Sequence, residues 1–228
     1  MRIVLSLGGS LLTGVFSSDN FIRYAEVIKT ISDKGHKLIV VVGGGKIARD
    51  YIDIADGFDA SDFDKDYVAI KLTWANAALF ASALGDYAET KINISYDDIA
   101  EQFNSTDKVV VCGGIAPGQS TDGVSSKLAR AIGADMVINA TNVPGVYDSD
   151  PRVNISAKKC DALTFDEFRK IISKNEQAPG KYGLFDLAGI DILQDENIDL
   201  VVIDATNPRE ILQTVNGEQK GTLISSGE

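Results

Sequence analysis

Apolar and polar positions follow two rhythms along this chain. Uninterrupted apolar runs occur at 2–7 (RIVLSL), 37–42 (KLIVVV), 108–112 (KVVVC), 135–139 (DMVIN), 199–204 (DLVVID) and 221–225 (GTLIS). A run without polar alternation is a strand buried on both faces, the kind found in parallel sheets. Between the runs, apolar residues recur every three or four positions. Phe21, Tyr24, Ala25, Ile28 and Ile31 follow Asp19, read as an N-cap, and Gly35 closes that helix. Tyr67, Ile70, Trp74, Ala77, Ala78, Ala81 and Leu84 mark a second, longer helix, with Trp74 read as core, and Val124, Leu128 and Ala131 mark a third. Further helices are expected around Phe165–Ile172, across 184–193 and over Pro208–Val215. Strands alternating with helices in this way predict a three-layer α/β/α sandwich around a mostly parallel central sheet.

No Ser/Gly/Pro linker or internal repeat divides the chain, and its one long irregular stretch is 140–157. Long loops in compact domains usually carry function. The net charge of −11 over 228 residues speaks against a nucleic-acid binder, which needs a basic surface. Small phosphorylated ligands stay open, because a few cations and backbone N–H groups suffice for them. No apolar run is long enough for a membrane span, and the N-terminus lacks a signal-peptide layout. Two cysteines, Cys112 and Cys160, without CxxC spacing point to a reducing compartment, so a cytoplasmic protein is expected. Cys112 ends a buried strand and reads as an inert hydrophobe. The single histidine, His36, reads as an exposed connector and leaves no room for a His-rich metal site or a Ser-His-Asp triad.

The chemistry gathers at glycines. In VVVGGGKIAR (40–49), Gly43, Gly45 and Ala48 satisfy the G-x-G-x-x-G/A turn of dinucleotide-binding proteins, with Asp62, Asp64 and Asp66 near the distance of a ribose ligand. A P-loop is excluded, because it would need glycine at Val40 and Ser or Thr at Ile47. Gly8-Gly9 and Gly113-Gly114 occupy the same place after two other strands. Such strand–glycine–helix elbows let backbone approach a ligand and aim a helix N-terminus at negative charge. A dehydrogenase needs one elbow. Three converging elbows suit several phosphates, or two phosphorylated molecules meeting end to end.

The segments LGGSLL (7–12), VVVGGGKIAR (40–49), GGIAPGQSTDGVSSKLA (113–129), INATNVPGVYDSDP (138–151) and GTLIS (221–225) resemble, in order and spacing, the amino acid kinase fold family. Within it the chain is most similar to the short archaeal branch of uridylate kinases, by its length, its start at the first strand, GGGKIARDYI and GGIAPGQSTDG. The resemblance implies one amino acid kinase domain over 1–228, with an acceptor lobe at about 1–133 and an ATP lobe at about 134–228. It implies transfer of the γ-phosphoryl of ATP to UMP, with Mg²⁺ accompanying ATP, and a homohexamer built as a trimer of dimers. The alternatives are another kinase of this fold acting on a carboxylate or carbamate, or a non-catalytic nucleotide-binding protein.

By the same resemblance, Gly9, Ser10, Gly45 and Arg49 contact the ATP phosphates, and Thr141, Asn142, Tyr147 and Asp150 hold the nucleoside end of ATP. Gly44 lies beside the acceptor, Asp66 binds UMP through its ribose, and Gly114, Ile115, Ala116, Pro117, Gly118, Gln119 and Ser120 wrap its phosphate and base. Lys46 and Asp122 are the expected catalytic residues, and no residue is expected to form a metal site of its own. Lys46 and Arg49 oppose the dipole at a helix start, which asks for an anionic partner. Asp122, also near a helix start, has a simpler reading as a carboxylate that stabilises that helix. Lys127 and Arg130 read as a solvated face, and Tyr147 equally as a loop anchor. Two departures stand out: most of the family carries lysine where this chain has Ser6, and its bacterial uridylate kinases carry lysine at Asn142.

Overall fold

A computed structural model of the chain describes residues 1–89, 95–151, 153–176, 185–218 and 220–227. The strands are β1 (Arg2–Leu7), β2 (Lys37–Val42), β3 (Ala88–Glu89), β4 (Val109–Cys112), β5 (Met136–Thr141), β6 (Ala162–Thr164), β7 (Asp199–Asp204) and β8 (Thr222–Ser225). They form one sheet in the order β3-β4-β2-β1-β5-β7-β8-β6. Every neighbouring pair is parallel except β7 with β8. The helices are α1 (Gly9–Thr13), α2 (Ser18–Asp33), α3 (Gly45–Asp56), α4 (Asp62–Leu84), α5 (Tyr96–Ser105), α6 (Thr121–Ile132), α7 (Phe165–Glu176), α8 (Leu187–Asp195) and α9 (Arg209–Val215).

Because strand side chains alternate between faces, each central strand feeds two cores. Leu5, Val40, Val111 and Ile138 join Tyr24, Ile28, Phe80 and Ile211 on the α2/α4/α9 face. Val4, Ile39, Val110 and Val137 join Phe103, Leu128, Phe168 and Ile190 on the α5/α6/α7/α8 face. The sandwich expected from the apolar runs is therefore present, with both faces of the sheet dry. The carboxyl ends of β1, β2 and β5 lie level, Leu7 being opposite both Val42 and Ala140. Whatever follows these strands must meet at one edge.

Local chemistry moves several expected boundaries. Ser17, not Asp19, caps α2, its side chain accepting from the Asn20 N–H. The long helix begins at Asp62 rather than Tyr67, because Ser61 accepts from the Asp64 N–H. The helix expected across 184–193 runs Leu187–Asp195 behind the Asp186 cap, and Leu184 lies outside the described residues. His36 is half-buried rather than exposed, its Nδ1 lying 3.3 Å from the amino group of Met1. Helix α4 is the one described helix long and apolar enough to cross a membrane. It packs instead along α2 and α3, leaving Phe63, Tyr67 and Leu79 exposed.

Candidate active site

The first two glycine elbows are pressed into one structure. The Gly43 N–H donates to the Leu7 carbonyl at 3.0 Å, carrying the β1–β2 ladder into the loops. A Cβ on Gly9 would lie 2.2 Å from the Gly45 nitrogen and 2.4 Å from the Gly43 oxygen, and one on Gly43 would lie 2.6 Å from the Gly9 nitrogen. Gly45 has φ +65° and faces the Thr13 hydroxyl, which donates to the Gly9 carbonyl at 2.9 Å. Backbone thus touches backbone, and only glycine permits it. The Gly8 N–H donates to Ala140 O at 2.9 Å, which ties the same elbow to the end of β5, where the long loop starts.

Helix α4 fastens the third elbow to the second. Asn76 donates to the carbonyls of Gly43 and Gly44, at 3.0 and 3.2 Å. One turn earlier, Thr73 accepts from the Gly114 N–H at 2.7 Å and donates back to Ile70 O. Trp74 donates its indole N–H to Gly114 O at 2.8 Å. Trp74 is half-buried and packs against the core as expected, and its indole N–H adds a polar brace that the apolar reading did not include. About two turns earlier still, Asp66 accepts from the Gly118 N–H at 2.7 Å and so holds the rest of the loop. Thr73 and Asn76 were not visible as functional from the sequence; their one signal is that both are polar and under a tenth exposed on an otherwise apolar helix.

A second acidic centre faces the other side of the sheet. Asp122, in the first turn of α6, accepts from the Ser6 hydroxyl at 2.8 Å. Burial raises the Asp122 carboxyl to about 6, opposed by the Ser6 hydrogen bond and helped by Asp186. Asp186 accepts from the Ser120 hydroxyl at 3.2 Å and caps α8. A Cβ on Gly123 would come within 2.7 Å of the Asp186 carboxylate, so α6 and α8 meet closely here. Asp186 was missed in the sequence, though an aspartate before an apolar helical run is an N-cap signal. Among the described residues, no three His, Cys, Asp or Glu side chains gather so as to hold a metal ion.

Three glycine elbows thus share one edge of a mostly parallel sheet. The profile of the Amino acid kinase family matches residues 1–204. The chain belongs to the amino acid kinase family. It is 40% identical to the uridylate kinase of Methanococcoides burtonii over 94% of this chain and 91% of that protein. With the uridylate kinase of Methanobrevibacter smithii it shares 36% identity, covering 99% of this chain and all of the relative. The crystal structure of uridylate kinase from Archaeoglobus fulgidus superposes with a TM-score of 0.88 at 38% identity, over 99% of this chain and 100% of that one. That of a Bacillus anthracis UMP kinase gives 0.82 at 24% identity, over 100% and 96%, and speaks to the fold alone.

Within this amino acid kinase fold the residues expected to form the site fall into three groups. Gly9, Ser10, Gly44 and Gly45 form the fused elbows, with Arg49 exposed on the first turns of α3. Lys46 is exposed too, and its ammonium rests on Asp50 at 2.7 Å rather than on the glycines. Gly114 to Ser120 form the third elbow: Ile115 leans on the core, Ala116 and Pro117 are half-buried, and Gly118 takes φ +77°. Gln119 accepts from the Tyr96 hydroxyl, and Ser120 caps α6 by accepting from the Gly123 N–H.

The third group is the long loop, fixed by apolar and backbone pins. Val146 is buried and its N–H donates to the Thr222 hydroxyl at 2.9 Å, with Gly145 at φ +144° beside it. Thr141 ends β5 and accepts from the Ala205 N–H, Asn142 is exposed, and half-buried Tyr147 bridges to Lys159. Asp150 accepts through its carbonyl from Val153 and Asn154. Beside the loop, a cavity of about 270 Å³ is lined by Pro144, Asp204, Thr206, Asn207, Glu210 and Lys220.

Proposed function

We propose that this chain is a UMP kinase, moving the γ-phosphoryl of ATP to UMP and giving ADP and UDP in pyrimidine nucleotide synthesis. The observation that carries it is end-to-end similarity to archaeal uridylate kinases, joined to the fusion of the glycine elbows at one sheet edge. An acceptor phosphate already carries anionic oxygens at neutral pH, so the reaction needs alignment and charge neutralisation rather than a strong base. One of these oxygens attacks the γ-phosphorus in line as the bond to the β-phosphate oxygen breaks.

Gly9, Ser10 and Gly45 of the fused elbows take the ATP phosphates, Gly44 lies beside the acceptor, and the long loop carrying Thr141, Asn142, Tyr147 and Asp150 takes the nucleoside end of ATP. The Gly114–Ser120 elbow, held by Asp66, takes UMP. Mg²⁺ enters with ATP on its phosphates and belongs to the substrate. Lys46 leaves Asp50 for the transferring phosphoryl group, a light requirement because an exposed ion pair is worth about 1 kcal/mol or less. Arg49 adds a second cation, and Asp122, which no described lysine or arginine touches at rest, would orient the catalytic cations or the Mg²⁺-bound nucleotide once ATP is in place.

The test is a coupled assay offering ATP with UMP, CMP, acetylglutamate, aspartate or carbamate. UDP formation from UMP is expected, and activity confined to a carboxylate or carbamate rejects the reading. In the same assay Lys46→Ala is expected to cut turnover about tenfold or more while shifting the KM for UMP little; wild-type turnover removes Lys46 from the mechanism. The protein works in the cytoplasm as a homohexamer. Support for self-association is the apolar trough of about 490 Å³ between α2 and α4, lined by Phe16, Phe21, Ile22, Leu79 and Ala83. Phe16, which lines this trough, is 58% exposed, an apolar surface that suits a second copy. A monomer in sedimentation equilibrium would rule the hexamer out.

A further inference from the structure

Ser6 is the one polar residue among the buried positions of β1: Ile3, Val4, Leu5 and Leu7 are fully buried and Ser6 is 2% exposed. It sits at the middle of the sheet, opposite Val41 of β2 and Asn139 of β5. Its side chain falls on the same face as Val4, under the start of α6. An apolar residue would satisfy the sheet equally well there. A buried hydroxyl without a partner costs free energy, so its placement has to be explained by what it binds. What it binds is Asp122, through an O–H donated to Oδ1 at 2.8 Å.

We infer that Ser6 is a positioning residue for phosphoryl transfer, its hydroxyl fixing the Asp122 carboxylate in its orientation and keeping it ionised at the edge where the elbows meet. The inference rests on the UMP kinase reading above. Two features on the page support it. The hydroxyl donates its single hydrogen bond to the carboxylate, and that bond favours the charged form of an acid that burial pushes up to about 6. Among the described residues the charged group that acts on Asp122 is Asp186 at the start of α8, and it pushes in the same direction as burial. Among the described residues no lysine or arginine pairs with Asp122, so the Ser6 proton is the group that offsets both. Ser6 also stands two residues before Gly8, so the strand that carries the hydroxyl also sets the first elbow. Orientation of the acid and placement of the phosphate loop are thereby coupled through four consecutive residues.

The experiment compares the full chain with Ser6→Ala, Ser6→Thr, Asp122→Asn and the Ser6→Ala/Asp122→Asn double variant. Turnover at saturating ATP and UMP is followed from pH 5 to 8, with KM for UMP at each pH. Ser6→Ala is expected to lower kcat about tenfold near pH 6 and to move the acid limb up by about one pH unit, the size of one hydrogen bond to a charged group. The KM for UMP should stay within about twofold, Ser6→Thr should restore most of the turnover, and Ser6→Ala should add nothing in the Asp122→Asn background. A merely structural serine would instead lose activity additively and leave the acid limb in place. Either that pattern, or a Ser6→Ala protein with wild-type turnover and acid limb, overturns the inference. Should Ser6→Ala fold poorly, Ser6→Cys keeps the volume with a weaker donor, and an unshifted acid limb there is equally decisive. The wild-type control separates the two readings: without UDP formed from UMP the functional assignment falls, whereas normal wild-type activity with an unmoved limb in the variant strikes Ser6 alone.

Discussion

Gly9→Ala is expected to abolish turnover, by more than about 100-fold, although it adds a single methyl to a residue that no side chain needs to reach. The methyl would sit 2.2 Å from the Gly45 nitrogen and 2.4 Å from the Gly43 oxygen, and neither can swing aside because both are backbone. Relief requires the first and second elbows to part by about an ångström. Overpacking of this kind costs about 1–3 kcal/mol, and a displacement of that size between groups that must align two phosphates costs about 100-fold in rate. The stability loss and the activity loss therefore come from one movement. Gly35→Ala is the control: its φ of +83° brings backbone strain of about 1 kcal/mol, but nothing lies within 4 Å of the new methyl. Melting curves and steady-state kinetics on both variants decide the matter. Gly9→Ala with wild-type turnover would mean that the fused elbows do not set the phosphate geometry.

What could be read from the residues alone divides by the range of the physics involved. β1, β2, β4, β5 and β7 were legible because a strand buried on both faces must be apolar throughout. β3, two residues long, and β6, three, are too short to carry a period. Helix α5 had a readable cap at Ser95, which accepts from the Asp98 N–H, but Ile99 and Phe103 alone make a thin apolar stripe. The antiparallel placement of β8 against β7 is set by the path between them and by no residue of its own.

The glycines of the site could be found because they follow apolar strand runs in a recognisable pattern, although what requires them, the contact of one elbow's backbone with another's, is long-range. Their braces could not. Thr73, Asn76 and Asp186 act on backbone or hydroxyl groups 32 to 66 residues away, and a polar residue on a helix looks the same whether its partner is water or a loop. Trp74 shows the limit most directly, since apolar periodicity registers its ring and is blind to its N–H. Lys46 shows the reverse: its position at a helix start was legible, while its resting partner Asp50, one turn on, follows from ordinary i,i+4 pairing.

Asp122→Asn should separate stability from activity, and in opposite directions. In the folded protein the Asp122 carboxyl is raised from 3.8 to about 6, chiefly by burial. A group whose folded value is raised adds stability that is fully present below its unfolded value and is lost as pH rises through the folded one. Between roughly pH 4 and 7, then, ionising Asp122 costs the fold about 2–3 kcal/mol. Asparagine never ionises, and its Oδ1 can still accept from Ser6, so the variant should melt several degrees higher at pH 7 than the wild type. The difference should shrink toward zero near pH 4, where the wild-type acid is itself neutral. Turnover should move the other way, falling by about 100-fold or more at pH 7.5, because the neutral amide no longer orients the cations that meet the transferring phosphoryl group. Its acid limb, set near pH 6 in the wild type, should disappear with the carboxylate. Calorimetry across that pH range, alongside the coupled assay, reads both quantities from one preparation. A variant that is inactive but no more stable at pH 7 would mean that Asp122 is not strained in the fold. One that is more stable and still active would remove it from the chemistry. If both outcomes are seen, the cost of ionising Asp122 is one the fold bears for the reaction and not for its own stability.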